Sequence, residues 1–336
     1  MRLMKIFNYI PKSLKGFLLG FESVLNKTPL RKFLLLRSLY IEVTSCCNLK
    51  CKGCYRTSHE YKSKNKYIPL EDFKNYVNQA PPAGSLYLHG LGEPILHPEI
   101  REIVEYANQS KKFNNVAFTA NALAKSPEKY GELFASGLTQ LTISVDSLIQ
   151  GEVNKMRPFT DVKKLAENIK WFLERFPERT KISMVVNNIN LHTFEKTLKK
   201  LYEIGLREVS FHPYSDLGYP DLCLSSKEKS EFLEKLKNCK IDMEFCPSGF
   251  TLTEVPCTLP STAPSVNTQG YLTPCCVFYD EDIFNAGNLK EKSFKEIFFS
   301  KKYLEIQKNI RKGKYPKFCK GCMGNHVEVR KLIEKT

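Results

Sequence analysis

Cys47, Cys51 and Cys54 follow a short apolar stretch, Leu39 to Val43, in the run Thr44-Ser45-Cys46-Cys47-Asn48-Leu49-Lys50-Cys51-Lys52-Gly53-Cys54-Tyr55. The spacing is C-x3-C-x2-C at the exit of a predicted strand. Three thiolates cannot complete a four-iron cluster, because each iron wants four ligands and cysteine sulfur is the usual protein contribution. A cluster held here would keep one iron open to a small molecule. Zinc is the other reading, and a structural zinc needs a fourth protein ligand; His59 is near enough in sequence to supply it. A disulfide framework fits poorly, since the chain shows no secretory signal and is far longer than disulfide-stapled domains.

Such chemistry needs a scaffold that delivers residues from several elements to one place. From residue 39 onward, apolar runs with strand character alternate with amphipathic helical patterns, the rhythm of parallel β/α units. The strand candidates are Leu39 to Thr44, Leu86 to His89, Val116 to Thr119, Leu141 to Val145, Ile182 to Val186 and Val209 to His212. Helical patterns lie near 70–79, 98–108, 127–136, 161–175 and 192–204. The fold class is α/β, and six repeats predict a partial (β/α)6 TIM-like barrel. In such folds the active site lies at the carboxyl ends of the strands. The chemically capable residues fall there: the cysteine loop, then His89-Gly90-Leu91-Gly92-Glu93-Pro94, Thr119-Ala120-Asn121, Ser144 with Asp146, Asn187-Asn188, and His212-Pro213. One polar strand end means little, but six in succession describe a site.

The bulk properties frame this reading. The chain has 336 residues, enough for a large domain with a smaller one attached, and 42% hydrophobic residues, ordinary for a globular protein. Twelve cysteines point to metal or redox use in a reducing compartment. No apolar run has the length of a membrane span. Pro11, Lys12 and Lys15 interrupt the apolar residues at the amino terminus, so no secretory signal is read there and the expected location is cytoplasmic. The net charge of +15 comes from lysines spread along most helices rather than from arginine–aromatic clusters. A solvated basic surface explains it better than nucleic-acid binding, and leaves an acidic partner open.

The order of segments suggests four parts: a helical extension over 1–38, the barrel over 39–213, a bridging segment over 214–256, and a small α+β domain over 257–336. The extension mixes Phe, Leu and Ile with Lys and Arg and could lie on a membrane surface. Pro11 and Pro29 break any long amphipathic face, so packing under the barrel is the expectation. The bridge is rich in Pro, Ser and Lys around one helix near 226–238. The last part opens with a predicted hairpin at 266–273, continues with helical stretches near 292–312 and closes on Cys319-Lys320-Gly321-Cys322.

The cysteine spacing with Asn48-Leu49-x-Cys51-x-x-Cys54-Tyr55 resembles the radical S-adenosylmethionine (SAM) enzymes. There the open iron binds the amino and carboxylate groups of SAM. Gly92-Glu93-Pro94 resembles the family's Gly-Gly-Glu-Pro motif, which holds the SAM amino group; Leu91 stands where the first glycine of the usual pair would be. A carboxylate accepts well from an ammonium, and glycine lets the backbone come close. The resemblance further implies that Ser144 and Asp146 contact the SAM ribose and carboxylate. It puts Asn121 and Asn187 at matching strand ends, Tyr55 facing the adenine, and Arg157 near SAM or substrate.

The carboxyl-terminal cysteines resemble the auxiliary-cluster domain called twitch, a shortened SPASM domain. Seventeen residues separate Cys257 from Cys275, Gly270 precedes Cys275 in the pattern G-x4-C, and Cys319 and Cys322 close the set. Four cysteines can saturate one four-iron cluster, and no cysteine follows Cys322, so one auxiliary 4Fe–4S cluster is expected. Zinc held by the same four is the alternative. Cys276 adjoins Cys275 and competes with it as ligand, the glycine spacing favouring Cys275. Cys46, Cys223, Cys239 and Cys246 remain, most simply as buried hydrophobes.

The resemblance implies reductive cleavage of SAM to a 5′-deoxyadenosyl radical, hydrogen abstraction from a substrate, and a reductant such as flavodoxin or ferredoxin. The expected outcome is oxidation of a small metabolite, with the auxiliary cluster as electron acceptor. A peptide or protein substrate, as in sulfatase maturases and peptide-modifying enzymes, is the alternative. Of other classes, a non-catalytic zinc-binding module predicts zinc at both cysteine groups, and RNA modification rests on net charge alone.

Overall fold

The computed structural model describes residues 36–250, 257–319 and 322. The expected extension over 1–38 falls outside them except at its end, where Leu36 already begins a strand.

In chain order the elements are β1 (Leu36–Ile41), α1 (Tyr55–Ser58), α2 (Leu70–Gln79), β2 (Ala83–Tyr87), α3 (Ile100–Gln109), β3 (Phe113–Ala120), α4 (Pro127–Ala135) and β4 (Gln140–Ser144). There follow α5 (Gln150–Met156), α6 (Val162–Arg175), β5 (Thr180–Val186), α7 (Phe194–Glu203), β6 (Glu208–Pro213), α8 (Ser226–Lys237) and β7 (Glu244–Pro247). The chain then forms α9 (Leu259–Thr262), β8 (Ser265–Val266), β9 (Leu272–Thr273), α10 (Phe294–Phe298) and α11 (Lys301–Arg311).

Among the described residues these strands form one sheet in the order β7-β6-β5-β4-β3-β2-β1-β8-β9. Strands β1 to β7 are parallel, and the sheet curves as a partial TIM-like barrel. Each βα crossover lays a helix on the sheet because its apolar residues recur at helical spacing. In α6, Leu165, Ile169 and Phe172 are buried, and the Asp161 side chain caps the first turn by accepting from the Lys164 N–H. Ser225 and Glu228 form a reciprocal capping box at the start of α8.

Apart from the one-turn helices α1 and α9, three features were not read from the sequence. Strand β7 lies inside the segment taken as a bridge and pairs with β6. Helix α5 occupies residues assigned to no element. The third is the placing of the predicted hairpin: β8 pairs in parallel with β1, and β9 turns back antiparallel against β8. The carboxyl-terminal part therefore continues the barrel sheet past its first strand. It is also fastened to α2, whose Gln79 side chain donates to the Leu289 carbonyl at 3.0 Å and accepts from the Phe294 N–H at 3.1 Å. None of the described helices is long and apolar enough to cross a membrane.

Candidate active site

Strand β1 runs into a pinned exit. The Ser45 N–H donates to the Lys66 carbonyl at 3.0 Å, the Lys66 N–H donates back to Ser45 Oγ at 2.9 Å, and Arg56 Nε reaches the Ser45 carbonyl at 2.7 Å. The cysteine loop that follows turns at Gly53, whose φ of +88° suits glycine. It docks on the end of α5 through a 2.7 Å bond from the Lys52 N–H to the Met156 carbonyl.

The loop after β2 closes over this exit. The Glu93 N–H donates to the Cys46 carbonyl at 2.8 Å. A Cβ at residue 92 would collide with the Thr44 carbonyl oxygen and stand 2.7 Å from that of Cys46. Glycine at 92 is thus required by the close approach of two loops. Gly92→Ala should cost about 1–3 kcal/mol of stability, as overpacking does, and loosen the cysteine loop. Thermal unfolding and bound-iron content of the purified variant check this.

Cys47, Cys51 and Cys54 line one cavity of about 460 Å³. Of the residues expected to bind SAM, Gly92, Glu93, Asn121, Ser144, Asp146 and Asn187 line the same cavity, as does Arg157. Tyr55 is not among the lining residues. Its ring stacks on His59 at 4.1 Å and its hydroxyl donates to Asp280 at 3.0 Å. His59, the candidate fourth zinc ligand, is likewise held away by that stack and by Ser58 Oγ, 2.7 Å from its Nδ1. Among the described residues no group of three or more His, Cys, Asp and Glu side chains is placed to hold a single metal ion. Zinc gathers its sulfurs at about 2.3 Å, whereas a four-iron cluster accepts thiols spread around a larger body. Burial pushes all three thiols up, Cys51 to about 12 despite the opposing Arg157 guanidinium. Thiolates here need adjacent positive charge, which iron supplies. The donor set and the cavity fit a cluster with one open iron.

The polar lining residues mostly brace one another. Glu93 accepts from the Asn121 N–H at 2.7 Å and from the Tyr130 hydroxyl at 3.3 Å, which ties the end of β2 to the end of β3. Burial pushes its carboxyl up to about 7 against those bonds. The Asn121 side chain donates to Asn48 in the cysteine loop at 2.8 Å. Asp146 accepts from Arg157 Nε at 2.8 Å and from the Val185 N–H at 3.0 Å, and Arg157 also donates to the Ser144 carbonyl at 3.0 Å. Asn187 donates to Met156 Sδ at 3.2 Å and accepts from the Ile189 N–H at 2.9 Å.

Behind the Gly92 loop lies Glu42, fully buried, accepting from the Leu91 N–H at 2.8 Å. Burial pushes its carboxyl up to about 8, with the Leu91 and Thr268 N–H groups opposing. The folded chain therefore keeps this proton over a range where the unfolded chain, with its carboxyl near the ordinary value, has lost it. Stability from this group falls as pH rises from about 4.5 to about 8. Glu42→Gln should remove a slope of up to about 1.4 kcal/mol per pH unit in that window, read from urea midpoints of metal-free protein across the range.

The second cysteine group gathers at the far side of β1. Cys275 lies within electrostatic reach of Cys276, Cys319 and Cys322, and Cys257 within reach of Cys276, Cys319 and Cys322. Burial pushes Cys319 up to about 12 and Cys276 to about 11. The four cysteines expected as ligands are thus brought together, with Cys276 beside them. Ser215 and Val277 line the cavity wall; the Ser215 hydroxyl opposes the burial that pushes the Cys322 thiol up, and Val277 follows Cys276. His89 lines it too, and packs edge-on against Tyr40 at 5.6 Å; the Tyr40 hydroxyl opposes the burial that pushes the Cys276 thiol up. His89 was visible as a strand-end residue. Val277 and Tyr40 carried no signal, because only the pairing of β1 with β8 brings their segments together; Ser215 follows β6 directly and was passed over at that strand end.

Comparison with known proteins agrees with this architecture. Residues 41–201 match the radical SAM superfamily, and residues 257–323 match the SPASM iron–sulfur cluster-binding domain. The GTP 3′,8-cyclase of Clostridium acetobutylicum is 23% identical over 79% of this chain and 90% of its own; a probable GTP 3′,8-cyclase of Methanocaldococcus jannaschii (25% identical) and the GTP 3′,8-cyclase of Syntrophomonas wolfei (29%) match over 54% and 58% of this chain and 61% and 62% of theirs. Among solved structures, Streptococcus suis SuiB bound to its precursor peptide SuiA superposes with a TM-score of 0.69 at 16% identity, over 83% of this chain and 69% of SuiB. AdoMet-bound anSMEcpe superposes at 0.68 and 21% identity, over 86% and 88%.

Proposed function

Since this chain belongs to the radical SAM superfamily and carries a SPASM iron–sulfur cluster-binding domain, we propose that it oxidises an organic substrate held between its two cysteine groups. The family's cofactors are SAM and two 4Fe–4S clusters. Cys47, Cys51 and Cys54 would hold one cluster, and Cys257, Cys275, Cys319 and Cys322 the other. When bound, these groups supply a 5′-deoxyadenosyl radical that takes a hydrogen atom and an acceptor for the electron then left on the substrate, whose proton passes to solvent.

The observation that carries the reading is the shared wall. Ser215, Val277 and His89 line the cavity; Ser215 acts on the Cys322 thiol, Val277 follows Cys276 in sequence, and His89 packs on Tyr40. The chain's own part is to orient and enclose. Glu93 and Asn121 fix the cysteine loop against β3, and the Asp146–Arg157 pair fixes the opposite wall. A one-electron donor such as flavodoxin or ferredoxin would feed the site.

A small metabolite is the favoured substrate. The cavity of about 460 Å³ must also take SAM, so little room remains, and the cyclases matched above act on a nucleotide by name. A peptide side chain is the second reading, supported by the likeness to peptide-bound SuiB. The discriminating experiment measures 5′-deoxyadenosine with reductant and SAM while adding either a small-molecule filtrate or a peptide fraction of source-cell extract. Stimulation by the filtrate alone supports the metabolite; stimulation by peptides alone overturns it.

A further inference from the structure

A groove of about 580 Å³ lies in the carboxyl-terminal part and shares no lining residue with the catalytic cavity. It is built from α11, through Lys302 and Ile306, and from the turn that leaves this helix, through Lys312, Lys314 and Phe318. A 2.9 Å bond from the Lys314 N–H to the Asn309 carbonyl closes that turn. Ile306 and Phe284 are buried and give the groove an apolar floor, whereas the three lysines are exposed. The Lys302 ammonium sits over the Phe284 ring, 5.6 Å from its centre.

The charge here is one-sided. Residues 301–317 carry seven Lys and Arg side chains, all exposed, against the single carboxylate of Glu305. An apolar floor offers contact area, and a rim of one sign steers a partner of the other. The partner that fits is an acidic protein.

The groove is also bonded to the auxiliary cysteines. Phe318 immediately precedes Cys319, whose N–H donates to the Pro316 carbonyl at 2.9 Å. The Tyr315 hydroxyl accepts from the Cys257 N–H at 3.4 Å. Tyr315, Pro316 and Phe318 all line the groove. Two of the four expected ligands therefore have backbone N–H groups held by residues that a docked partner would touch.

Resting on the proposed function above, we infer that this groove docks an acidic one-electron carrier protein beside the auxiliary site. Oxidation of the substrate by two electrons calls for such a partner. One hydrogen atom leaves with the adenosyl group, one proton goes to solvent, and one electron is left at the auxiliary cysteines. That electron must pass to an oxidised carrier, which gains it, before the next turnover. Electron-transfer encounters use small, transient interfaces, and complementary charge sets how fast they form. Lys302, Lys312 and Lys314 supply that charge.

The test is calorimetric titration of the full chain with an acidic flavodoxin. Lys302→Glu, Lys312→Glu and Lys314→Glu combined should weaken binding at least about tenfold. Raising the salt from about 50 mM to about 500 mM should weaken wild-type binding as much. The same reversal at Lys163, Lys196 and Lys199, exposed on α6 and α7, should leave binding in place. Iron content of the groove variant should match the wild type, which shows that its cysteine groups are intact. In a second measurement Cys47, Cys51 and Cys54 are all replaced by Ala, so that only the auxiliary cysteines hold iron. This protein, reduced and freed of reductant, should convert oxidised flavodoxin to its semiquinone, and the groove reversal should slow the conversion at least about tenfold.

Absence of wild-type binding, equal weakening by the remote reversal, or binding without semiquinone formation would each overturn the inference. Binding of polyuridylate in place of flavodoxin, lost on groove reversal, would make this a nucleic-acid surface and overturn it too. Neither measurement uses a substrate. Docking and electron uptake in a protein that oxidises nothing sink the proposed function alone, and substrate oxidation without docking sinks this inference alone.

Discussion

Cys47→Ala should reduce 5′-deoxyadenosine formation to the level seen without protein, in anaerobic assays with SAM and a strong reductant. The three thiols of the first loop face one cavity, and their surroundings leave no substitute. Glu93 is committed to Asn121 and Tyr130, and His59 to Tyr55 and Ser58. Cys46, the adjacent thiol, is not among the cavity's lining residues. Iron content should drop by one cluster while the auxiliary cluster persists, because its thiols belong to a different part of the chain. Nucleoside produced at the wild-type rate would remove the triad from the chemistry.

The second large effect should come from Asp146→Ala, and it concerns stability. The carboxylate and the Arg157 guanidinium are 2.8 Å apart, with side chains only 11% and 15% exposed. Both carboxylate oxygens are used, one by Arg157 and the other by the Val185 N–H of β5. Removing the carboxylate leaves a guanidinium with little water and orphans a backbone donor. Breaking such a pair from one side costs about 3–5 kcal/mol. Asp146→Asn retains an acceptor for Val185 and should cost less, about 1–3 kcal/mol. Urea unfolding of the two variants measures the difference. Equal, small losses would show that solvent in the cavity compensates Arg157.

The barrel was legible because its repeats obey local rules. The pattern at 70–79 coincides with α2, and each of the six predicted strands overlaps an observed one. Strand β7 was not legible, since Glu244-Phe245-Cys246-Pro247 is short, half polar and closed by proline, the signature of an edge or a loop. For the site, strand-end position pointed to Gly92, Glu93, Asn121, Ser144, Asp146 and Asn187, all of which line the cavity. Tyr55, expected at the site from its place beside Cys54, is not among the cavity's lining residues, and its hydroxyl donates to Asp280, 225 residues away in sequence. The shared wall was illegible for the same reason. It depends on β1 meeting β8, a pairing that no local pattern announces.

That pairing has a consequence for any attempt to divide the chain. A fragment ending at residue 250 would retain β1 to β7 and the first cysteine loop, yet β1 would lose the neighbour to which Tyr40 and Glu42 donate their N–H groups, at 3.1 Å to the Pro264 carbonyl and 2.9 Å to that of Val266. A central strand would become a bare edge flanked by Leu39, Ile41 and Val43, all fully buried in the whole chain. Unpaired apolar edges recruit other strands. The isolated barrel should therefore self-associate, so the two halves of this protein are better understood as one folding unit than as a catalytic domain with an accessory.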